Sequence, residues 1–176
     1  MNEIVIKEAT VEDAALIADL SRRTFYDTFA PFNTVEDMDK FMNEQFTREN
    51  LMDEVGAPGN IFLLAYSNGE VAGYVRLKEL PDITMPANVP AIEIARIYAL
   101  KTSIGKGVGS ALMQHVIDLA RQKNKQIIWL GVWEKNHRAI DFYKKWGFER
   151  FGEHDFVLGT DVQTDWLMKR EVTNIK

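Results

Sequence analysis

Residues 92–120 read IEIARIYALKTSIGKGVGSALMQHVIDLA, and the pattern of this stretch changes at its glycines. The part before them is apolar and rich in β-branched residues, which predicts a buried strand. From Val108 onwards apolar residues recur at helical spacing, so we expect a helix to begin at the glycines. Gly105, Gly107 and Gly109 leave the backbone N–H groups uncovered, and such groups at a helix N-terminus bind phosphates. The stretch therefore predicts a strand, a phosphate-binding turn and a helix.

The spacing of the glycines excludes two common phosphate loops. A Walker A loop needs Gly-x-x-x-x-Gly-Lys-Ser/Thr, and a dinucleotide fingerprint needs Gly-x-Gly-x-x-Gly after an early strand. The turn instead resembles the acetyl-CoA loop of the GNAT superfamily of N-acetyltransferases, Gln/Arg-x-x-Gly-x-Gly/Ala. Gly107 and Gly109 match its glycines, whereas Ile104 stands where Gln or Arg is usual. This departure concerns one side-chain contact and leaves the backbone donors in place.

A second motif follows the next predicted strand, Ile127–Trp133. Residues 136–148 read NHRAIDFYKKWGF and resemble the other GNAT signature, Asn-x-x-Ala-x-x-Phe-Tyr-x-x-x-Gly-Phe, at every named position. The two motifs have the order and separation of that superfamily. Residues 25–29, 129–136 and 163–165 resemble, more loosely, the PaiA type of bacterial polyamine N-acetyltransferase.

The composition is that of an ordinary enzyme domain. The chain has 176 residues, of which 46% are hydrophobic, so we expect one domain over residues 1–176. It has no cysteine, which excludes disulfides and a thiol nucleophile. The N-terminus lacks the apolar stretch of a signal peptide, and no apolar run approaches the ~18 residues of a membrane span. We therefore expect a soluble, cytoplasmic protein. Its three histidines show no metal-ligand spacing, so no metal is expected.

The charge is unevenly distributed. Residues 1–100 carry 17 acidic and 8 basic side chains, a net charge of −9, whereas residues 101–150 carry 4 and 10, a net charge of +6. The basic segment contains the predicted phosphate site, and CoA is a polyanion. The acidic segment would favour a cationic acceptor. The overall net charge of −5 argues against direct nucleic-acid binding, and the pattern leaves a homodimer open.

The other elements follow from local patterns. Predicted strands cover Ile4–Glu8, Ile61–Tyr66, Val71–Leu77, Phe151–Leu158 and Gln163–Lys169. Predicted helices run from the capping box Thr10–Asp13 to Pro31, from Thr34 or Val35 to Phe46, from Thr47 to Val55, and from Asn136. Asn68-Gly69 predicts a hairpin turn. The order indicates an α/β (α+β) fold, a single mixed sheet with helices on both faces. The resemblance implies a mostly antiparallel sheet of about seven strands whose central strands splay apart.

In the fold that the resemblance implies, the central strands diverge beyond residues 97–99, and the pantetheine arm of acetyl-CoA pairs with the open edge as an added strand. A backbone N–H there would bind the thioester oxygen as it gains charge. The implied cofactor contacts are Ile97, Tyr98, Ala99, Ile104, Gly105, Lys106, Gly107, Val108, Gly109, Ser110, Asn136, Ala139, Phe142 and Lys145.

Tyr143 is the candidate general acid. An amine that attacks the thioester expels CoA thiolate, and a phenol with a pKa near ~10 can protonate it. The alternative is an aromatic packing residue in an amphipathic helix. Asn136 can cap the same helix, and the resemblance adds a contact with pantetheine.

Glu93 is the candidate base, acting through a water, because an alkylammonium with a pKa of about 10 must lose a proton before it attacks. The alternative is a solvated or salt-bridged Glu93, with Arg96 as the partner. Glu134 and Asp27 are rival candidates for the base, and the candidate substrate-binding residues are Asp27, Phe29 and Glu134. His154 could border the acceptor site, but the expected alternative is an ordinary surface residue. The cluster Glu36, Asp37 and Asp39 is either a solvated helix face or an attractor for a polyamine.

The sequence thus predicts acetyl-CoA-dependent N-acetylation of a primary amine, with a polyamine such as spermidine or spermine as the acceptor, by direct attack in a ternary complex. Two alternatives remain open. One is acetylation of a protein or amino-sugar amine, and the other is a CoA-binding regulatory module with little catalysis.

Overall fold

The computed structural model describes residues 3–172. Seven strands form one sheet in the order β1-β2-β3-β4-β5-β7-β6, and every neighbouring pair is antiparallel except β4 and β5. The strands are β1 Ile4–Glu8, β2 Asn60–Ser67, β3 Glu70–Lys78, β4 Ala91–Ala99, β5 Ile127–Trp133, β6 Glu149–Leu158 and β7 Asp161–Glu171. The helices are α1 Ala14–Phe29, α2 Val35–Glu44, α3 Arg48–Glu54, α4 Val108–Gln122 and α5 His137–Lys145. The predicted fold class and order of elements are confirmed.

Local side-chain chemistry sets several of these boundaries. Thr34 and Thr47 cap α2 and α3 by accepting backbone N–H groups at 3.1 and 3.2 Å. Helix α2 ends at Glu44, two residues before the predicted end. In the β2–β3 turn Asn68 and Gly69 both have positive φ, 52° and 84°, as the favoured two-residue hairpin requires.

The sheet separates two apolar layers. Leu112 and Val116 of α4 and Ile140 of α5 pack on one face, against Ile92 and Ile94 of β4. On the other face α1, α2 and α3 cover the sheet with an aromatic cluster. Because side chains alternate along a strand, neighbouring residues of β4 and β5 point into different layers.

The parallel pairing of β4 with β5 is short. It runs from Ala91 opposite Ile127 to Ile94 opposite Leu130 and ends there. The space between residues 95–99 of β4 and residues 131–133 of β5 is called the β4–β5 gap below. The predicted divergence of the strands is present, but its predicted position beyond residues 97–99 is wrong by several residues.

A β-bulge accounts for the earlier divergence. On β3, Arg76 and Leu77 are adjacent, whereas their partners on β4 are Arg96 and Ile94, so Ala95 is an extra residue. A bulge bends its strand and increases the local twist, which turns β4 away from β5.

The carboxylate of Glu54, at the end of α3, holds the strand next to this bulge. It accepts two hydrogen bonds from Arg96, at 2.9 and 2.8 Å, and lies 3.0 Å from Arg76 Nη1. Arg96 also lies over the ring of Phe46, 5.0 Å from its centroid. The alternative that paired Arg96 with Glu93 is therefore wrong, because Arg96 binds Glu54.

Replacing Glu54 by glutamine should lower the free energy of unfolding by about 2–3 kcal/mol, because two arginines lose their carboxylate in a partly buried site. The value lies below that of a fully buried pair, since Arg96, Arg76 and Glu54 keep 14%, 16% and 23% of their side-chain surface exposed. Urea denaturation measures it. Asp19→Asn is the control, because the Arg48–Asp19 pair is exposed on both sides. Equal, small losses in the two variants would contradict a special role for Glu54.

Candidate active site

The glycine turn before α4 forms an open helix N-terminus. Gly105 and Gly107 have φ values of 81° and 87°, a region that residues with a Cβ rarely adopt. Gly107 caps the helix, and the N–H of Ala111 donates to its carbonyl at 3.0 Å. The N–H groups before Ala111 have no partner within the helix, as at every helix start. A Cβ at Gly105 would have no atom within 4 Å, so the turn has room for an anion.

Helix α5 lies beside this turn. The side-chain oxygen of Asn136 accepts the N–H of Ala139 at 3.3 Å and so caps α5. A Cβ at Gly109 would lie 3.5 Å from the ring of Phe142, so α4 and α5 are in close contact here. Ala139 and Phe142 are partly buried, whereas several other residues predicted to contact the cofactor are exposed. The exposed predicted cofactor residues are Ile104, Lys106, Ser110 and Lys145.

The three residues of β4 that were predicted beside the thioester direct their backbone groups to different sides of the strand. The N–H of Leu100 donates to Ala72 on β3 at 2.7 Å. Because backbone groups alternate in direction along an antiparallel pair, Tyr98 also bonds towards β3, whereas Ile97 and Ala99 turn their N–H and C=O groups towards the gap. Tyr98 therefore offers only its side chain, which packs in the layer below α1 and α2.

Tyr143 lies in the apolar layer on the α4 and α5 side. It is 8% exposed, and its ring meets Phe148 edge-on at 5.8 Å. Burial raises the pKa of Tyr143 well above the usual range, so its hydroxyl stays protonated. Burial also raises the pKa of Tyr98, and the nearby Tyr74, Tyr143 and Asp165 raise it further.

Acidic side chains gather on the other face of the sheet. Glu93 points away from the layer of Ile92 and Ile94 and lies 3.9 Å from Lys78 Nζ. Burial raises the pKa of Glu93, Lys78 lowers it, and Asp82 raises it again. Asp82, Glu93, His154 and Asp165 are called the acidic mouth below, since the charges of Asp82 and His154 both act on Glu93 and that of His154 acts on Asp165.

His154 and Asp165 form a pair that the sequence did not reveal. They are opposite each other on β6 and β7, with Nε2 3.3 Å from Oδ2. Side-chain exposure is 48% for His154 and 16% for Asp165. His154 is at the surface, as predicted, and burial raises the pKa of Asp165. Asp165 is the last residue of the stretch 163–165, which resembles the PaiA type. Its pairing with His154 follows from the register of β6 and β7, which the sequence does not show.

The predicted substrate-binding residues have different surroundings. Phe29 is buried and packs on Trp133 with a centroid distance of 5.8 Å, so its ring supports the acidic face from within. Asp27 and Glu134 are partly exposed, near the end of α1 and just after β5.

Within the acidic cluster on α2, Asp37 is the residue that binds another part of the fold. Its carboxylate accepts the N–H and the hydroxyl of Thr160, both at 2.8 Å, and these bonds lower the pKa of Asp37. They attach α2 to the β6–β7 turn. Glu36 and Asp39 remain exposed.

Two features of residues 3–172 bear on other functions. In this part of the chain, no three side chains of His, Asp or Glu are grouped so that they could hold a metal ion. None of the helices described there has the length and apolar character needed to cross a membrane.

Comparisons with known proteins agree with this architecture. The model of the acetyltransferase (GNAT) family matches residues 22–148. An uncharacterized N-acetyltransferase of Lactobacillus delbrueckii subsp. lactis is 38% identical over 170 residues, 97% of this chain and 98% of the relative. The spermine/spermidine N(1)-acetyltransferase of Bacillus subtilis is 30% identical over 95 residues, 52% of this chain and 60% of the relative.

Among solved structures, the PaiA N-acetyltransferase from Thermoplasma acidophilum in complex with coenzyme A has a TM-score of 0.76 and 22% identity, and the match covers 96% of this chain and 99% of that chain. This likeness supports the fold. The family match includes the glycine turn, the β4–β5 gap and Tyr143. The chain therefore belongs to the acetyltransferase (GNAT) family and is an N-acetyltransferase.

Proposed function

We propose that this protein transfers the acetyl group of acetyl-CoA directly to a primary amine, and that the acceptor is a polyamine. The observation that carries the proposal is the arrangement around the β4–β5 gap. An open helix N-terminus lies on one side of the sheet, and an acidic mouth lies on the other. The two substrates would then meet in the gap from opposite faces.

The residues around the turn fit coenzyme A. The free N–H groups at the start of α4 suit its pyrophosphate, and Lys106 and Lys145 are exposed cations nearby in the motifs. The edge of β4 formed by Ile97 and Ala99 offers backbone partners to the pantetheine amides. When bound, acetyl-CoA supplies the thioester that the amine attacks. The walls of this cofactor site would be formed by Tyr98, Ala139, Phe142 and Asn136.

The residues of the chain then act on charge and protons. The N–H of Ile97 or Ala99 would donate to the carbonyl oxygen as it gains negative charge. Tyr143, kept protonated by burial, would give its proton to the leaving thiolate as the C–S bond breaks. On the acceptor side, Glu93 would take one proton from the nitrogen through a water.

The polyamine proposal rests on charge. Asp82, Glu93 and Asp165 belong to the acidic mouth. The first 100 residues, which include Asp82 and Glu93, carry a net charge of −9. A polyamine is acetylated at one nitrogen, and carboxylates would hold its other ammonium groups. The relative from Bacillus subtilis named for spermine and spermidine acetylation supports the same class of acceptor.

The glycine turn is tested by Gly107→Glu, which places a side chain and a negative charge where the phosphates would bind. We expect calorimetry to show no acetyl-CoA binding. Gly69→Glu is the matched control, because Gly69 has nearly the same φ, 84° against 87°, and lies in the β2–β3 turn. Unchanged affinity in a folded Gly107→Glu variant would place the cofactor elsewhere.

Tyr143→Phe should lower kcat by about 10²-fold or more, the usual effect of losing a general acid, with little change in acetyl-CoA affinity. Steady-state and single-turnover rates measure this effect. Tyr66→Phe, on β2, controls for the loss of a hydroxyl. A Tyr143→Phe enzyme with an unchanged chemical rate would leave Tyr143 with a packing role only.

The acceptor is tested by comparing spermidine with hexylamine. We expect kcat/KM to favour spermidine by ~10-fold at low salt, because several partly exposed charge pairs of about 0.2–1 kcal/mol add up. The preference should shrink at higher ionic strength, since exposed charges are screened within ~10 Å at 0.1 M salt. Equal values at low salt, or a preference insensitive to salt, would remove the electrostatic argument and leave a general amine acetyltransferase.

A further inference from the structure

Acetylation of an ammonium releases one net proton per turnover. An ammonium that becomes an amide forms one N–C bond and loses two protons, while the thiolate released from the C–S bond gains one. One proton per turnover must therefore reach solvent. This point rests on the proposed acetyl transfer. There Glu93 takes one of the two protons, which balances the proton that Tyr143 gives to the thiolate, and the other must leave by another group.

We propose that His154, oriented by Asp165, takes the proton of the incoming ammonium and releases it to solvent. The position of Gly131 carries the inference. Gly131 is the first residue of β5 after the last pair with β4, so it borders the gap. A Cβ on Gly131 would lie 3.4 Å from His154 Nε2 and 3.7 Å from Asp165 Oδ2. The imidazole thus lies over the entrance to the gap, with no side chain between.

Asp165 gives the imidazole its orientation. When the Nε2–H donates to Oδ2, 3.3 Å away, the lone pair remains on Nδ1, which can accept a proton directly or through a water. The carboxylate is mostly buried and the imidazole is half-exposed. One end of the pair is therefore fixed by the sheet, and the other exchanges protons with water.

Several charged side chains surround His154. Asp165 faces it from β7, Glu93 from β4 and Asp82 from the loop before β4. Lys78 is paired with Glu93, 3.9 Å away. Glu153 and Asp155, its neighbours on β6, point to the other side of the strand. Glu93 is less exposed than His154, 20% against 48%, so it is the poorer route to solvent.

The test compares two amines in the wild type and in His154→Gln. For spermidine, which is an ammonium at neutral pH, we expect kcat/KM to fall by about 10²-fold, the lower end for a lost base. For trifluoroethylamine, which is already uncharged at that pH, the loss should be much smaller. The acid limb of the spermidine pH profile should also disappear. Asp165→Asn should shift that limb to lower pH, because the imidazolium loses a neighbouring negative charge.

His115→Gln, on α4, controls for the loss of a histidine, and acetyl-CoA affinity by calorimetry reports folding. If His154→Gln does not fold, His154→Ala assayed with added imidazole replaces it, and a restored rate supports the role.

Equal losses for the two amines, an unchanged acid limb, or no rescue by imidazole would overturn the inference. A wild type that acetylates no amine would overturn the proposed function itself, whereas a wild type active on spermidine with an equally active His154→Gln would overturn only the role of His154.

Discussion

The arrangement of the site depends on the hydrogen bonding between β4 and β5, which ends at Ile94 and Leu130. Beyond that pair, each strand stays in the sheet through its other neighbour, β3 or β7. The free edge of β4 then carries unpaired N–H and C=O groups, which are costly to bury without a partner. The extra residue Ala95 turns β4 away from β5, and Glu54 fixes Arg96 just after it. Because β3, β7 and Glu54 hold the two strands in place, the sheet can keep an opening in its middle.

This opening connects two environments with opposite electrostatic character. On the α4 side, backbone N–H groups and exposed lysines favour anions. On the α1 side, carboxylates favour cations, and aromatic rings packed around Phe25 and Trp133 support them from below. The sheet separates the two, so a polyanionic donor and a cationic acceptor would be drawn to different faces and meet only in the gap.

Burial decides the protonation of the groups that line the gap. Tyr143 and Tyr98 are removed from water, which raises the pKa of each and keeps their hydroxyls as hydrogen-bond donors. The same effect raises the pKa of Glu93 and of Asp165, and it is opposed by the charge of Lys78 at Glu93 and by the hydrogen bond with His154 at Asp165. Tyr143, on the α5 side of the sheet, therefore stays a proton donor, while the carboxylates on the other face can accept protons.

Local patterns in the sequence were enough for the order of strands and helices, the Asn68-Gly69 turn, the start of α4 at Gly107 and the cap Asn136, because each depends on residues a few positions apart. The end of the β4–β5 pairing was predicted too late, since the Ala95 bulge exists only in the register between β3 and β4. The partner of Arg96 also came from outside its neighbourhood, 42 residues away at Glu54. His154 and Asp165 are opposed only when β6 pairs with β7, and the imidazole lies 3.4 Å from the place that a Cβ of Gly131 on β5 would take. Contacts of this kind join three strands and are fixed by packing of the whole sheet, which no short stretch of sequence contains.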